Sequence, residues 1–67
     1  MNRIPVNSSN ITSIWFDVEN NLLEIEFHHG RIYQYSWVPL SEYNGLMSAS
    51  SHGSYFAKNI KDFYPFF

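Results

Sequence analysis

Between Leu22 and Pro39 the chain is written as two strands joined by a tight turn. Leu23, Ile25 and Phe27 alternate with Leu22, Glu24 and Glu26, a period of two that fits a strand with one wet face. The carboxylates mark that wet face, so Leu23, Ile25 and Phe27 point to the core. His29-Gly30 supplies the positive-φ residue that a hairpin turn needs. Arg31 to Trp37 then returns antiparallel, with Tyr33, Tyr35 and Trp37 on one face and Ile32, Gln34 and Ser36 on the other. Pro39 ends the sheet, because it has no N–H to give to a ladder.

The flanking segments must complete a core around this hairpin. Ile11 to Val18 reads as a preceding strand, with Ile14, Phe16 and Val18 on one face and Ile11, Ser13, Trp15 and Asp17 on the other. Glu19-Asn20-Asn21 is the turn between them. Ile4 and Val6 alternate around Pro5, which is tolerated only at a sheet edge. Downstream, Pro39 suits a helix start, and Leu40, Tyr43, Leu46 and Met47 make one apolar helix face. Gly45 inside that helix costs about 1 kcal/mol against Ala unless a neighbour packs on it. Ser48 to Ser51 breaks the pattern and offers an N-cap. Phe56, Ile60 and Phe63 form the stripe of a second helix. Pro65 disfavours helix at Tyr64, so the aromatic tail Tyr64 to Phe67 packs on the body or makes a short extended piece.

The expected fold is therefore α+β: a three-stranded antiparallel meander, with an extra N-terminal edge strand allowed, packed against two C-terminal helices in one domain, residues 1–67. A domain this short removes only about 60% of its unfolded surface from water, and it has no cysteine to brace it. Six Phe, five Tyr and two Trp supply the buried area instead, since each aromatic ring can bury roughly 150–250 Å². The expected core is Ile14, Phe16, Leu23, Ile25, Phe27, Tyr33, Tyr35, Leu40, Leu46, Phe56, Ile60 and Phe63.

Composition also bounds the function. A formal net charge of −2 lacks the basic footprint of a nucleic-acid binder. No stretch approaches the ~20 apolar residues of a membrane span, and the N-terminus has no apolar run of the signal-peptide kind. The expectation is a soluble, cytoplasmic protein with no membrane contact and no cofactor.

The sharpest candidate site is the row Tyr33, Tyr35 and Trp37. Three rings on one strand face would form a platform for stacked bases, or else lie under the helices as core, which is the commoner fate of such rings. Trp15, beside Ser13 and Asp17, is expected on the outer face and exposed, which suits it to contact a partner. Arg31 and Lys58, with Lys61, would make a small positive patch, opposed by Glu24 and Glu26. His28 and His29 point to opposite sides and cannot easily share a metal ion. His52, in Ser50-Ser51-His52-Gly53, lies at the expected start of the second helix, where backbone N–H groups could hold an anion about one turn from Lys58. Neither an activated nucleophile nor an acid–base pair is recognisable, so an enzyme is the least expected class.

The ordered set Val6-x-Ser8-Ser9-x-Ile11, Leu23-x-Ile25-x-Phe27-x-x-Gly30, Tyr33-x-Tyr35-x-x-Val38-Pro39 and Ala49-x-Ser51-x-Gly53-x-x-Phe56 resembles the KTSC domain. That family is named for the C-terminus of some lysyl-tRNA synthetases and also occurs alone in short bacterial and phage proteins. Phe16 stands where the family often has Tyr. The resemblance covers nearly the whole chain and implies no established activity; RNA binding has been suggested for the family by association with the synthetase. Two functions are carried forward: a small non-enzymatic module that binds RNA, and a protein–protein or self-associating adaptor, including a homodimer.

Overall fold

A computed structural model describes residues 3–66; the sequence readings at Met1, Asn2 and Phe67 lie outside the described residues. Four antiparallel strands, β1 (Ile4–Pro5), β2 (Ile11–Asp17), β3 (Leu22–Phe27) and β4 (Ile32–Tyr35), stand side by side in chain order. Two helices follow, α1 (Leu40–Ser48) and α2 (His52–Asn59), and cover one sheet face. The meander, the edge strand with its proline and the pair of helices are those the sequence implies. β2 and β3 are joined through residues 18–21, where Asn21 takes a positive φ of 55°. Gly30 turns the β3–β4 hairpin at φ 95°, with its N–H donating to the Phe27 carbonyl.

Ile14, Phe16, Leu23, Ile25 and Tyr35 face the helices, where they meet Tyr43 and Leu46 of α1, Phe56 of α2, and Ile60. Phe16 stacks on Tyr43 with ring centroids 4.8 Å apart, tying the sheet to α1. Phe56 of α2 stands edge-on to Phe27 and Tyr35, at 5.6 and 5.4 Å. Ser51 caps α2, its hydroxyl accepting from the Ser54 N–H at 3.3 Å. Pro39 is the N-cap of α1 rather than its first helical residue, and its carbonyl accepts from the Glu42 and Tyr43 N–H groups.

Several placements depart from strict alternation and helical spacing. Ile11 is fully buried although it belongs by count to the face of Ser13 and Trp15. The pairing shifts by one residue between Ile11 and Ser13, a bulge that places Thr12 as the extra residue and returns Ile11 to the core side. Val38 is also fully buried, because the chain leaves the sheet at Ser36, passes through a positive φ of 67° at Trp37, and turns Val38 inward to hydrogen-bond the Asn21 carbonyl. Trp37 is thereby thrown outward, 77% exposed, instead of continuing the row of Tyr33 and Tyr35. Leu40, first in α1, is 45% exposed and outside the core.

The second helix ends at Asn59, one turn before its apolar stripe does. The N–H groups of Ile60 and Lys61 both turn back to the Phe56 carbonyl, and the chain bends away. Phe63 therefore leaves the stripe and is 67% exposed. The cause lies in the tail. Ser36 donates its N–H to the Pro65 carbonyl at 2.9 Å, and Phe66 bridges to Tyr35 as the stub of a further strand. Tyr64 reaches Glu42 with its hydroxyl at 3.0 Å. These three contacts pull residues 60–66 across the end of the sheet, which a continued helix would forbid.

Glu42 binds the helical layer together. It accepts from Tyr55 at 2.6 Å and from Tyr64 at 3.0 Å. Both phenol pKa values are raised, that of Tyr55 chiefly by its bond to the carboxylate, and that of Tyr64 chiefly by burial and then by the same bond. The Tyr55 ring lies over Gly45, where a Cβ would stand 2.9 Å from ring carbon Cζ. The glycine in mid-helix is thus the seat of a neighbour's side chain.

Candidate binding groove

The hairpin, α2 and the tail enclose an open groove of about 800 Å³. Its floor is Phe27 of β3 with Tyr33 and Tyr35 of β4; Phe56 and Ala57 of α2 make one wall, and Phe66 of the tail makes another. Tyr33 and Tyr35 point this way because the alternation of β4 sends them to the helical side, where α2 covers Tyr35 and leaves Tyr33 half-buried. The rings meet at steep angles: 64° between Phe27 and Tyr33, 65° between Phe27 and Phe56, and 76° for both Tyr33–Phe66 and Tyr35–Phe56. Such edge-to-face contacts stabilise the cluster and set rings at several orientations around one opening.

The far end of the groove is held by His28. Its Nε2 lies 2.7 Å from the Ser8 carbonyl and its Nδ1 2.7 Å from the Thr12 hydroxyl. A carbonyl only accepts, so Nε2 carries the proton, and in the neutral ring Nδ1 accepts from Thr12. This bond holds the loop whose Ser9 and Asn10 line the groove. Gly53, in the first turn of α2, lies beside that loop, where a Cβ would make ordinary contact with Asn10 Nδ2 at 3.5 Å. His29 stacks on Phe27 at 5.8 Å and borders the opening.

Lys61 and Asp62, in the turn after α2, supply the charge at the groove. The Tyr35 hydroxyl is pushed up to about 12, first by burial and then by the neighbouring Tyr33 phenol and the Asp62 carboxylate. Tyr35 is therefore a neutral phenol at any physiological pH, able to donate a hydrogen bond. Among the described residues neither the Tyr33 nor the Tyr35 hydroxyl has a hydrogen-bond partner, and no group of His, Asp or Glu is placed to hold a metal ion.

Of the sequence's candidates, the groove gathers Tyr33, Tyr35 and Lys61, with His28 and His29 at its margin, while Trp15, Arg31, Trp37, His52 and Lys58 lie outside it. Trp15 pairs across strands with Glu24 on the opposite sheet face, half-buried rather than exposed. Trp37 borders a separate depression of about 300 Å³ with Asn20, Leu22 and Ser36. Arg31 is exposed beside the hairpin turn, and Lys58 is exposed on α2 outside the groove. His52 is structural: its Nδ1 donates to the Leu46 carbonyl at 2.9 Å, satisfying a carbonyl near the end of α1. Sequence reasoning did not single out Phe66, Asp62 or the Ser9-Asn10 loop. Only the aromatic tail after Pro65 carried a readable signal, since a Phe that cannot be helical must find another surface.

Outside the groove the sheet's other face is tied by polar pairs. Glu24 accepts from Gln34 at 2.9 Å and pairs with Arg3, while Ser13 donates to Glu26 at 2.8 Å. Arg3 is thus committed to an ion pair. Among the described residues no helix is long and apolar enough to cross a membrane.

The KTSC domain family model matches residues 7–64. A protein of Stutzerimonas stutzeri (strain A1501), named only as uncharacterized, is 36% identical over 61 residues, covering 91% of this chain and 86% of its own. The crystal structure of a KTSC domain protein from Yersinia pestis superposes with a TM-score of 0.95 at 41% identity, over 98% of this chain and 93% of that one. None of these descriptions names a catalytic activity.

Proposed function

This chain belongs to the KTSC domain family, and on that premise we propose that it is a non-enzymatic binding module whose contact surface is the aromatic groove. The observation that carries this reading is the groove itself: five rings, two of them tyrosines, around an opening of about 800 Å³, a size and lining typical of ligand sites. A core of this size gains nothing from leaving Tyr33 and Phe66 part-exposed around a void, so a surface kept open in this way favours an occupant.

A segment of another protein is the occupant the charges favour. Of the chain's four cations only Lys61 lines the groove, which is little for a polyanion. Single-stranded RNA is the second reading, supported by the Tyr33 and Phe66 rings on which a base would stack.

The test is a two-dimensional NMR screen of the full chain against blocked tripeptides, small aromatic compounds and short single-stranded RNA at low salt. Shifts that cluster on Tyr33, Tyr35, Phe56 and Phe66 support the groove. Shifts that cluster around Trp37, or concentration-dependent shifts with no ligand added, move the contact surface elsewhere and refute it.

A further inference from the structure

We infer that the groove accepts a cationic side chain, an arginine of a basic segment in a partner protein, seated against the rings and beside Asp62. This rests on the reading of the groove as the contact surface and adds the chemistry of its occupant. Each ring carries a negative face and a positive edge. Around this opening four ring pairs are inclined by 64–76° and the Tyr35–Phe66 pair by 31°, so the rings line it at several orientations. A cation over such a face is attracted by about 0.5–1 kcal/mol when exposed and by more when desolvated. A guanidinium also stacks flat on an aromatic ring, which an ammonium does not.

Charge complementarity points the same way. Asp62 lines the groove together with Tyr35, so its carboxylate sets a negative charge at the opening. Tyr35 stays neutral, and the net charge of −2 draws cations toward the chain. Lys61 is the opposing charge. It is exposed at the same rim, and its long apolar stem lets the ammonium reach water while the methylenes stay against the wall. Among the described residues His28 and His29 complete the titratable groups at the opening apart from the two tyrosines.

The two charges make opposite predictions for opposite ligands. A five-residue peptide of glycine with a central arginine and blocked ends is titrated into the full chain at pH 7.5 and followed by NMR, beside its glutamine counterpart and a uridine pentanucleotide. The expected result is saturable shifts on the groove rings with the arginine peptide, absent with glutamine. Asp62→Asn should weaken that binding about two- to fivefold, the range for one exposed charge pair, and Lys61→Met should tighten it. Both substitutions are at exposed positions, and thermal unfolding checks that each variant is folded. If the nucleotide binds at the groove and Lys61→Met weakens it, or if the glutamine peptide binds as well as arginine, the cation assignment is overturned while the groove stands as a contact surface. If no probe shifts the groove rings, the assignment falls; whether the groove reading falls with it is read from the broader screen above.

Discussion

Gly45 gives the sharpest test of how the helical layer is assembled. On helix propensity alone, Gly45→Ala in α1 should stabilise the protein by about 1 kcal/mol. The structure reverses that sign. The new Cβ would stand 2.9 Å from Tyr55 Cζ, with the hydroxyl nearer still, so the ring must tilt. Tyr55 cannot tilt freely, because its hydroxyl holds Glu42 at 2.6 Å. A hydrogen bond to a charged group contributes about 1.5–3 kcal/mol, and this one is only part-buried, so about 2 kcal/mol is the loss to set against the gain. The net is a destabilisation of about 1 kcal/mol, or a fall in Tm of about 4–8 °C for a chain of this size. The assay is urea and thermal unfolding followed by circular dichroism. Tyr55→Phe removes both the closest atom and the bond, so in that background Gly45→Ala should be neutral or stabilising. The double-mutant cycle should give a coupling of about 1–2 kcal/mol. A stabilising Gly45→Ala in the otherwise natural chain, or additive effects, would refute the account.

Other perturbations have equally definite outcomes. Phe16→Ala removes a fully buried ring stacked on Tyr43; a loss of about 3–5 kcal/mol against a total of about 3–10 for this length should lower the urea midpoint drastically or abolish cooperative unfolding, and a loss under 1 kcal/mol would contradict the packing. Trp37→Asn replaces an exposed ring at φ 67° by a residue that tolerates the left-handed region; stability should be unchanged or rise by up to about 1 kcal/mol, whereas a large loss would mean that the ring packs on something. Stability should also fall in alkali. The Tyr35 phenol ionises near 10 in the unfolded chain but only at about 12 when folded, so its contribution is full below pH 10, is lost as pH rises from 10 to 12, and then levels off. Tyr55 and Tyr64 are shifted the same way; Tyr35→Phe should flatten the slope of urea midpoint against pH in that window, and an unchanged slope would count against a buried Tyr35.

Most of the fold is legible because β3 and β4 are written in an unbroken period of two with a glycine at the turn, and the register follows from that. What failed is local and has nameable causes. Strict alternation puts Ile11 on the wrong face because a bulge changes parity without any marker residue: Thr12 is as ordinary in a strand as its neighbours. Alternation keeps Trp37 in the sheet because it says nothing about where a strand ends; burial of Val38 decides it, at the expense of a left-handed tryptophan. Phe63 obeyed helical spacing, yet the tail's contacts with Ser36, Tyr35 and Glu42 outweighed another turn of α2. The groove was half legible. Tyr33 and Tyr35 stood out as a row, but the wall that completes the opening comes from Phe66, about thirty residues away in sequence, and only tertiary packing brings it there.

The pairing of Phe66 with Tyr35 has a consequence beyond the groove. The outer margin of β4 would otherwise present unsatisfied amides and carbonyls, the kind of border on which a second polypeptide can template itself. A stub of tail covers part of that border and, through Phe66, also forms one side of the groove. Peeling residues 65–66 away would therefore open one side of the groove and uncover an adhesive strand in one event. In this domain, the groove's wall and the sheet's edge cover share a single latch.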